Sequence, residues 1–187
     1  CYIRCLIIEI DFFIHMENTD IQLARFDKGY LISWLELFSN EPVSQIECIL
    51  LKGDASDRNY YRVKYALKSS PEIQCSVIIM QLAKLETEPD FNCMQRFLKN
   101  LHIPVPEIFH FDAKKGLLFL MDFGDTHLAD KITQEPGKTV FWYQKAIEII
   151  VTFHIQATDT TTPDLPAYSL FFDEEKLMWE MDFMLEH

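Results

Sequence analysis

The stretch that decides the fold of this chain is Leu51-Lys52-Gly53-Asp54-Ala55-Ser56-Asp57-Arg58-Asn59-Tyr60-Tyr61-Arg62-Val63-Lys64-Tyr65. Apolar residues lead into a tight polar turn, and a strand of alternating aromatic and basic residues leads out of it, which predicts a β-hairpin. Such a turn can present backbone N–H groups, with an arginine beside them, to a chain of phosphates. The leading hypothesis is therefore a phosphate-binding turn between the first two strands.

The composition is that of a folded domain with an acidic surface. The chain has 187 residues, 49% of them hydrophobic, including 15 Phe, 7 Tyr and 3 Trp. This is enough apolar material for a packed core. The formal net charge is −12, and because like charges repel, DNA, RNA and anionic membranes are disfavoured as partners. A nucleotide would need a local positive site.

The cysteines do not form a recognisable framework. Cys1, Cys5, Cys48, Cys75 and Cys93 are scattered, and there is neither a CxxC pair nor a histidine cluster near them. This pattern disfavours disulfide bonds and a zinc site, and favours reduced thiols in a cytoplasmic protein.

The first fifteen residues differ in pattern from the rest of the chain. They are apolar but carry Arg4, Glu9 and Asp11, they lack the pattern of a signal peptide, and they are too short to span a bilayer. We expect residues 1–15 to be a non-native upstream extension and Met16 to be the natural start. The alternative is a short edge strand.

The periodicity of apolar residues predicts an α+β protein. An amphipathic helix is expected at 19–39, after a cap at 18–20, and a second helix between 91 and 101. Strands are predicted at 46–51, 60–66, 75–82, 107–112 and 117–122. Together they suggest a five-stranded, mostly antiparallel sheet in a lobe at 16–123. Residues 124–187 read as a connector and the start of a helical lobe, with helices at 139–157 and from 173 onward.

This order of elements resembles the N-terminal lobe of the protein-kinase-like fold, and three motifs resemble the aminoglycoside phosphotransferase family, especially its bacterial cell-wall sugar kinases. The motifs are Gly53-Asp54-Ala55-Ser56-Asp57-Arg58-Asn59-Tyr60-Tyr61-Arg62-Val63, Leu101-His102-Ile103-Pro104-Val105-Pro106-Glu107-Ile108 and Gly116-Leu117-Leu118-Phe119-Leu120-Met121-Asp122-Phe123-Gly124-Asp125. The resemblance covers residues 20–187.

The resemblance implies an ATP- and Mg²⁺-dependent transfer of the γ-phosphate to a hydroxyl of a sugar or amino sugar. In that branch the acceptor is the anomeric hydroxyl of N-acetylmuramate or N-acetylglucosamine in peptidoglycan recycling. The implied partners are a nucleotide and a small sugar, without nucleic acid or membrane. The implied nucleotide-site residues are Asp54, Ala55, Ser56, Asp57, Arg58 and Asn59 over the phosphates, Met80 on the third strand, and Met121, Asp122 and Phe123 as a hinge whose backbone bonds adenine.

The third strand departs from the protein-kinase pattern. Its run is Val77-Ile78-Ile79-Met80, with methionine where protein kinases have a lysine. A thioether cannot neutralise phosphate charge, so we hypothesise that Arg58 or Arg62 supplies it. The acidic residue that would pair with such a lysine stays open among Glu86, Glu88 and Asp90.

Two triplets imitate kinase catalytic motifs. They are Asp122-Phe123-Gly124 and His110-Phe111-Asp112, but the asparagine expected five residues after a catalytic Asp is here Leu117. We interpret them as hinge and turn residues. No catalytic or metal-binding residue is therefore assigned, since the family places these groups beyond residue 187. We expect this stretch to be inactive alone.

Two alternatives remain open. One is a non-catalytic nucleotide-binding or interaction module, with Met80 as a sign of lost chemistry. The other is an aminoglycoside-modifying kinase, which differs only in its substrate.

Overall fold

A computed structural model describes residues 25–51, 57–159, 165–169 and 173–186, and its centre is one sheet. The strands are β1 (Val43–Leu51), β2 (Asn59–Leu67), β3 (Ser70–Gln81), β4 (Ile108–Asp112) and β5 (Leu117–Met121). Their order is β1-β2-β3-β5-β4, and each neighbouring pair is antiparallel. The predicted α+β class with a five-stranded, mostly antiparallel sheet is confirmed.

Helices precede, interrupt and follow the sheet. They are α1 (Lys28–Ser39), α2 (Asp90–Asn100), α3 (Leu128–Gln134), α4 (Thr139–Asp159) and α5 (Glu174–Glu186), with short 3₁₀ turns at Pro136–Lys138 and Pro166–Ser169. Among the described residues, no helix combines the length and apolarity needed to cross a membrane.

The prediction of one unbroken helix over residues 19–39 is wrong, because residues 25–27 are not helical and α1 begins at Lys28. Asp27 caps α1 instead, and its Oδ1 accepts a 2.8 Å hydrogen bond from the Tyr30 N–H. An aspartate in this position satisfies one of the donors left over at a helix N-terminus. The cap predicted at 18–20 and the extension predicted at 1–15 lie outside the described residues.

One face of the sheet is covered by α1. Side chains alternate along a strand, so the odd-numbered residues of β2, β3 and β5 point to this side. Leu31 and Leu35 of α1 are buried together with strand residues such as Val63 and Ile79. The Trp34 ring stacks on Phe119 with 3.9 Å between ring centroids. We call this side the α1 face.

The opposite side, the α2 face, has a second apolar cluster. Met80, Leu82, Leu118 and Leu120 are buried there, and Phe91 of α2 packs against them. Arg62 is paired with Ile78, which also packs against this cluster, so its side chain belongs to the same face. The fold therefore places a buried cation on an apolar surface.

The helical segment after residue 124 contacts α2. The Tyr168 ring lies 6.3 Å from that of Phe97, and the Tyr168 hydroxyl donates a 2.6 Å hydrogen bond to the Ala157 carbonyl. Large apolar side chains of α4 and α5, among them Ile147, Ile150 and Met178, are exposed. The change from strands to helices follows Met121, close to the predicted boundary at residue 123.

The packing of α1 gives a prediction about stability. Leu35 is buried between α1 and the sheet, whereas Leu37 on the same helix is exposed. We expect Leu35→Ala to lower the free energy of unfolding by about 3 kcal/mol, because it leaves a cavity in the core. Leu37→Ala is the matched control and should change it by less than about 0.5 kcal/mol. Urea denaturation measures both, and equal losses would contradict the packing of α1.

Candidate functional site

The strand ends that flank the predicted turn, at Leu51 and Asn59, and the connector after β5, residues 122–125, lie at opposite ends of the same strands. Asn59, just after the turn, pairs with Gln81, which pairs with Leu117. At the other end Val63 pairs with Val77, which pairs with Met121. The four steps from Asn59 to Val63, at about 3.3 Å each, separate the two ends by about 13 Å.

Only part of the predicted turn can be placed. Asp54, Ala55 and Ser56 lie outside the described residues. Asp57 and Asn59 are exposed, and Arg58 is partly exposed. These three residues therefore lie at the surface where β2 begins, next to the turn.

The connector follows β5 directly. Met121 and Phe123 are exposed, whereas the carboxylate of Asp122 is buried. The Met121 N–H donates a 2.8 Å hydrogen bond to the Glu107 carbonyl. That donor belongs to the sheet, so it is not available to adenine in this conformation. The exposed apolar side chains of Met121 and Phe123 remain accessible to a ligand.

Met80 does not have the predicted access to a nucleotide. Its side chain is 0% exposed and packs with Leu82, Leu118 and Leu120 on the α2 face. The prediction that Met80 contacts the nucleotide is not supported in this conformation, because Met80 is buried in a cluster with Leu118 and Leu120 of β5, against which Phe91 of α2 packs. Its role here is in the core.

Arg62 binds two carboxylates of the connector. Its Nε lies 2.8 Å from Asp122 Oδ2, and its Nη2 donates to Asp122 Oδ1 at 3.0 Å. Its Nη1 donates to both carboxylate oxygens of Asp125, at 2.6 and 2.8 Å. The side chains of Arg62, Asp122 and Asp125 are 4%, 5% and 48% exposed. We call these three residues the Arg62 cluster.

The protonation states of the buried pair follow from this geometry. Burial alone would raise the pKa of Asp122, but hydrogen bonds from the Gly124 N–H and the Ser76 hydroxyl, together with Arg62, lower it. For Arg62, burial acts to lower the pKa, but the two aspartates outweigh it and raise the pKa. Arg62 and Asp122 are therefore both charged at neutral pH. The hypothesis that Arg62 supplies positive charge to a phosphate is not supported. The same hypothesis for Arg58 stays a prediction.

Met80 occupies the strand position from which a lysine would reach the predicted acidic partner. Of the three candidates, Glu86 and Glu88 are exposed. Glu88 pairs with Arg96 of α2 at 2.7 Å. Asp90 begins the helix.

The two kinase-like triplets make structural contacts. His110 lies in β4, so the interpretation of His110 as a turn residue is wrong, whereas Asp112 ends that strand at the turn. Asp112 accepts hydrogen bonds from the Tyr30 hydroxyl at 2.7 Å and from the backbone N–H groups of Lys114 and Lys115. Burial acts to raise the pKa of Asp112, but these bonds lower it. The His110 ring lies 5.6 Å from that of Phe119. Asp112 thus stabilises the β4–β5 turn, and Asp122 anchors the connector.

A separate cavity of about 320 Å³ opens on the α1 face. Its lining includes Phe26, Lys28, Glu47 and Cys48. Burial raises the pKa of the Cys48 thiol to about 11, so the thiol is protonated. Cys48, Cys75 and Cys93 are free and partly exposed. Within the described ranges, no group of three or more His, Cys, Asp or Glu side chains is placed to hold a metal ion.

No protein-family model matches this chain, and neither a curated protein nor a solved structure does.

The Arg62 cluster gives a prediction about pH. Because folding lowers the pKa of Asp122, its contribution to stability is present above the unfolded value of about 3.9 and is lost as the pH falls through the lower folded value. Asp122→Asn should cost about 3 kcal/mol at pH 7, since it removes one partner of a buried pair. It should also weaken the fall in stability below about pH 4.

Asp125→Asn is the matched control, and it should cost at most about 1 kcal/mol because Asp125 is half exposed. Denaturant titrations between pH 3 and pH 7 measure both variants. A wild-type pH profile in Asp122→Asn would contradict the assignment.

Proposed function

We propose that residues 16–123 form the nucleotide-binding lobe, and residues 124–187 the connector and the start of the helical lobe, of an ATP- and Mg²⁺-dependent phosphotransferase that acts on a hydroxyl of a sugar or amino sugar. The observation that carries the proposal is the β1-β2-β3-β5-β4 antiparallel sheet, in which β1 ends and β2 begins at one end of the strands and the connector follows β5 at the other. The separation of about 13 Å suits an extended nucleoside triphosphate that has its purine at the connector and its phosphates at the turn.

At the phosphate end, the turn would supply backbone N–H groups, which bind anions when they converge. Arg58 would supply a charge-assisted hydrogen bond. Its position just before β2, at the end of the strands where the phosphates are proposed to lie, supports this role.

At the purine end, the exposed side chains of Met121 and Phe123 would cover the ring. Aromatic and thioether groups pack well against flat π-systems. The choice of a sugar hydroxyl, and of the anomeric hydroxyl of N-acetylmuramate or N-acetylglucosamine in particular, rests on the family resemblance.

A second candidate is a nucleotide-binding module without catalysis. The burial of Met80 favours it, because the strand position from which kinases direct a lysine at the phosphates is closed here. Both candidates require nucleotide binding, and they differ in turnover.

The proposal predicts that Arg58 strengthens ATP binding. We expect calorimetric titration of the wild-type chain to detect binding of ATP in the presence of Mg²⁺. Arg58→Ala should weaken binding about tenfold, as expected for the loss of one charge-assisted hydrogen bond. Arg96→Ala removes the same charge from the exposed face of α2 and should leave affinity unchanged. Equal affinities in all three proteins would refute the role of Arg58, and no binding in the wild type would refute the nucleotide site.

The proposal also predicts binding without turnover by these 187 residues. Phosphoryl transfer needs a carboxylate to orient the acceptor and side chains to hold Mg²⁺, and the resemblance places both further along the chain. We expect no phosphorylation of N-acetylglucosamine or N-acetylmuramate when radiolabelled ATP is added. Sugar phosphate formation above the level of a heat-denatured control would contradict this division of the chemistry.

A further inference from the structure

Arg62 is an unusual residue for a sheet face. Among the residues that the structure describes, it is the only charged residue that is buried as a whole, and it lies on the same face as Ile78 and Leu120. Removing a guanidinium from water costs several kcal/mol unless it is paired and hydrogen-bonded. Its two carboxylate partners both lie in the connector. The connector therefore supplies the negative charge that compensates for burying Arg62 on the sheet.

The geometry of the pairing is directional. A guanidinium is planar and presents its donors in a fixed fork, and here one edge meets Asp122 while Nη1 meets Asp125. Binding two carboxylates three residues apart restricts both the position and the rotation of the segment between them. A lysine has one point charge and could not impose this geometry.

The connector is folded around the same carboxylate. Asp122 Oδ1 also accepts a 2.8 Å hydrogen bond from the Gly124 N–H. Gly124 has a φ of +75°, in the left-handed region that favours glycine. The Ser76 hydroxyl of β3 also donates a hydrogen bond to the Asp122 carboxylate. Residues 122–125 are thus held in a tight turn by contacts with β2 and β3.

We infer that Arg62 is a positioning residue for purine binding: it fixes the connector between the sheet and the helical segment in the conformation that receives the base, without touching the nucleotide. The inference rests on the proposed function. A connector that is ordered before binding loses less conformational freedom when the ligand arrives, so its affinity for the base is higher.

Ligand fragments separate this role from that of a phosphate ligand. We would titrate wild type and Arg62→Lys with adenosine, inorganic tripolyphosphate and ATP, with Arg96→Lys as the matched control. Arg62→Lys should lower the affinity for adenosine and for ATP about tenfold, the scale expected for lost preorganisation. The affinity for tripolyphosphate should not change. Weaker tripolyphosphate binding with unchanged adenosine binding would overturn the inference and make Arg62 a phosphate ligand.

Hydrogen exchange without nucleotide tests the positioning independently. The amides of Phe123, Gly124 and Asp125 should exchange faster in Arg62→Lys than in wild type or Arg96→Lys. If wild type binds neither adenosine nor ATP, the proposed function fails, while faster exchange still supports the fixing of the connector. Unchanged exchange overturns the inference whatever binds.

Asp125→Asn serves if Arg62→Lys does not fold, because it keeps the buried Arg62–Asp122 pair. It should speed exchange at Gly124 and Asp125 and weaken adenosine binding, by a smaller factor than Arg62→Lys. Wild-type exchange and affinity in a folded Asp125→Asn protein would also overturn the inference.

Discussion

The buried guanidinium of Arg62 is the constraint on which the arrangement of this molecule depends. It stands on an apolar sheet face, where an unpaired cation would be strongly unfavourable, and both of its partners, Asp122 and Asp125, come from the connector. The end of the sheet and the start of the helical segment therefore have one low-energy arrangement. The position of the candidate purine site follows from an ion pair rather than from apolar packing.

The two faces of the sheet have different roles around this cluster. On the α1 face, Trp34, Phe119 and the leucines of α1 form a continuous core that fixes the twist and register of the strands. On the α2 face, Met80 and its neighbours form a smaller cluster beside Arg62. The first face supplies rigidity. The second carries Arg62, which joins β2 to the connector.

The alternation of apolar residues was enough to predict the sheet, because a strand with a buried face constrains every second residue. The start of α1 was misassigned because helical periodicity extends past the cap, and only the bond from Tyr30 to Asp27 shows where the helix begins. Met80 was taken for a ligand contact because a sequence does not show what α2 covers. Arg62 was taken for a candidate phosphate ligand because its carboxylate partners lie 60 and 63 positions further along the chain.

We propose that a nucleoside triphosphate lies along the sheet, with its phosphates at the β1–β2 connection and its purine at the connector. Amide chemical-shift mapping with ATP and Mg²⁺ would locate it. The amide resonances of residues 52–58 and 122–125 should shift together, at one common dissociation constant, while those of Lys28 and Glu47 beside the cavity on the α1 face should not shift. Shifts confined to that cavity, or to only one of the two segments, would contradict it.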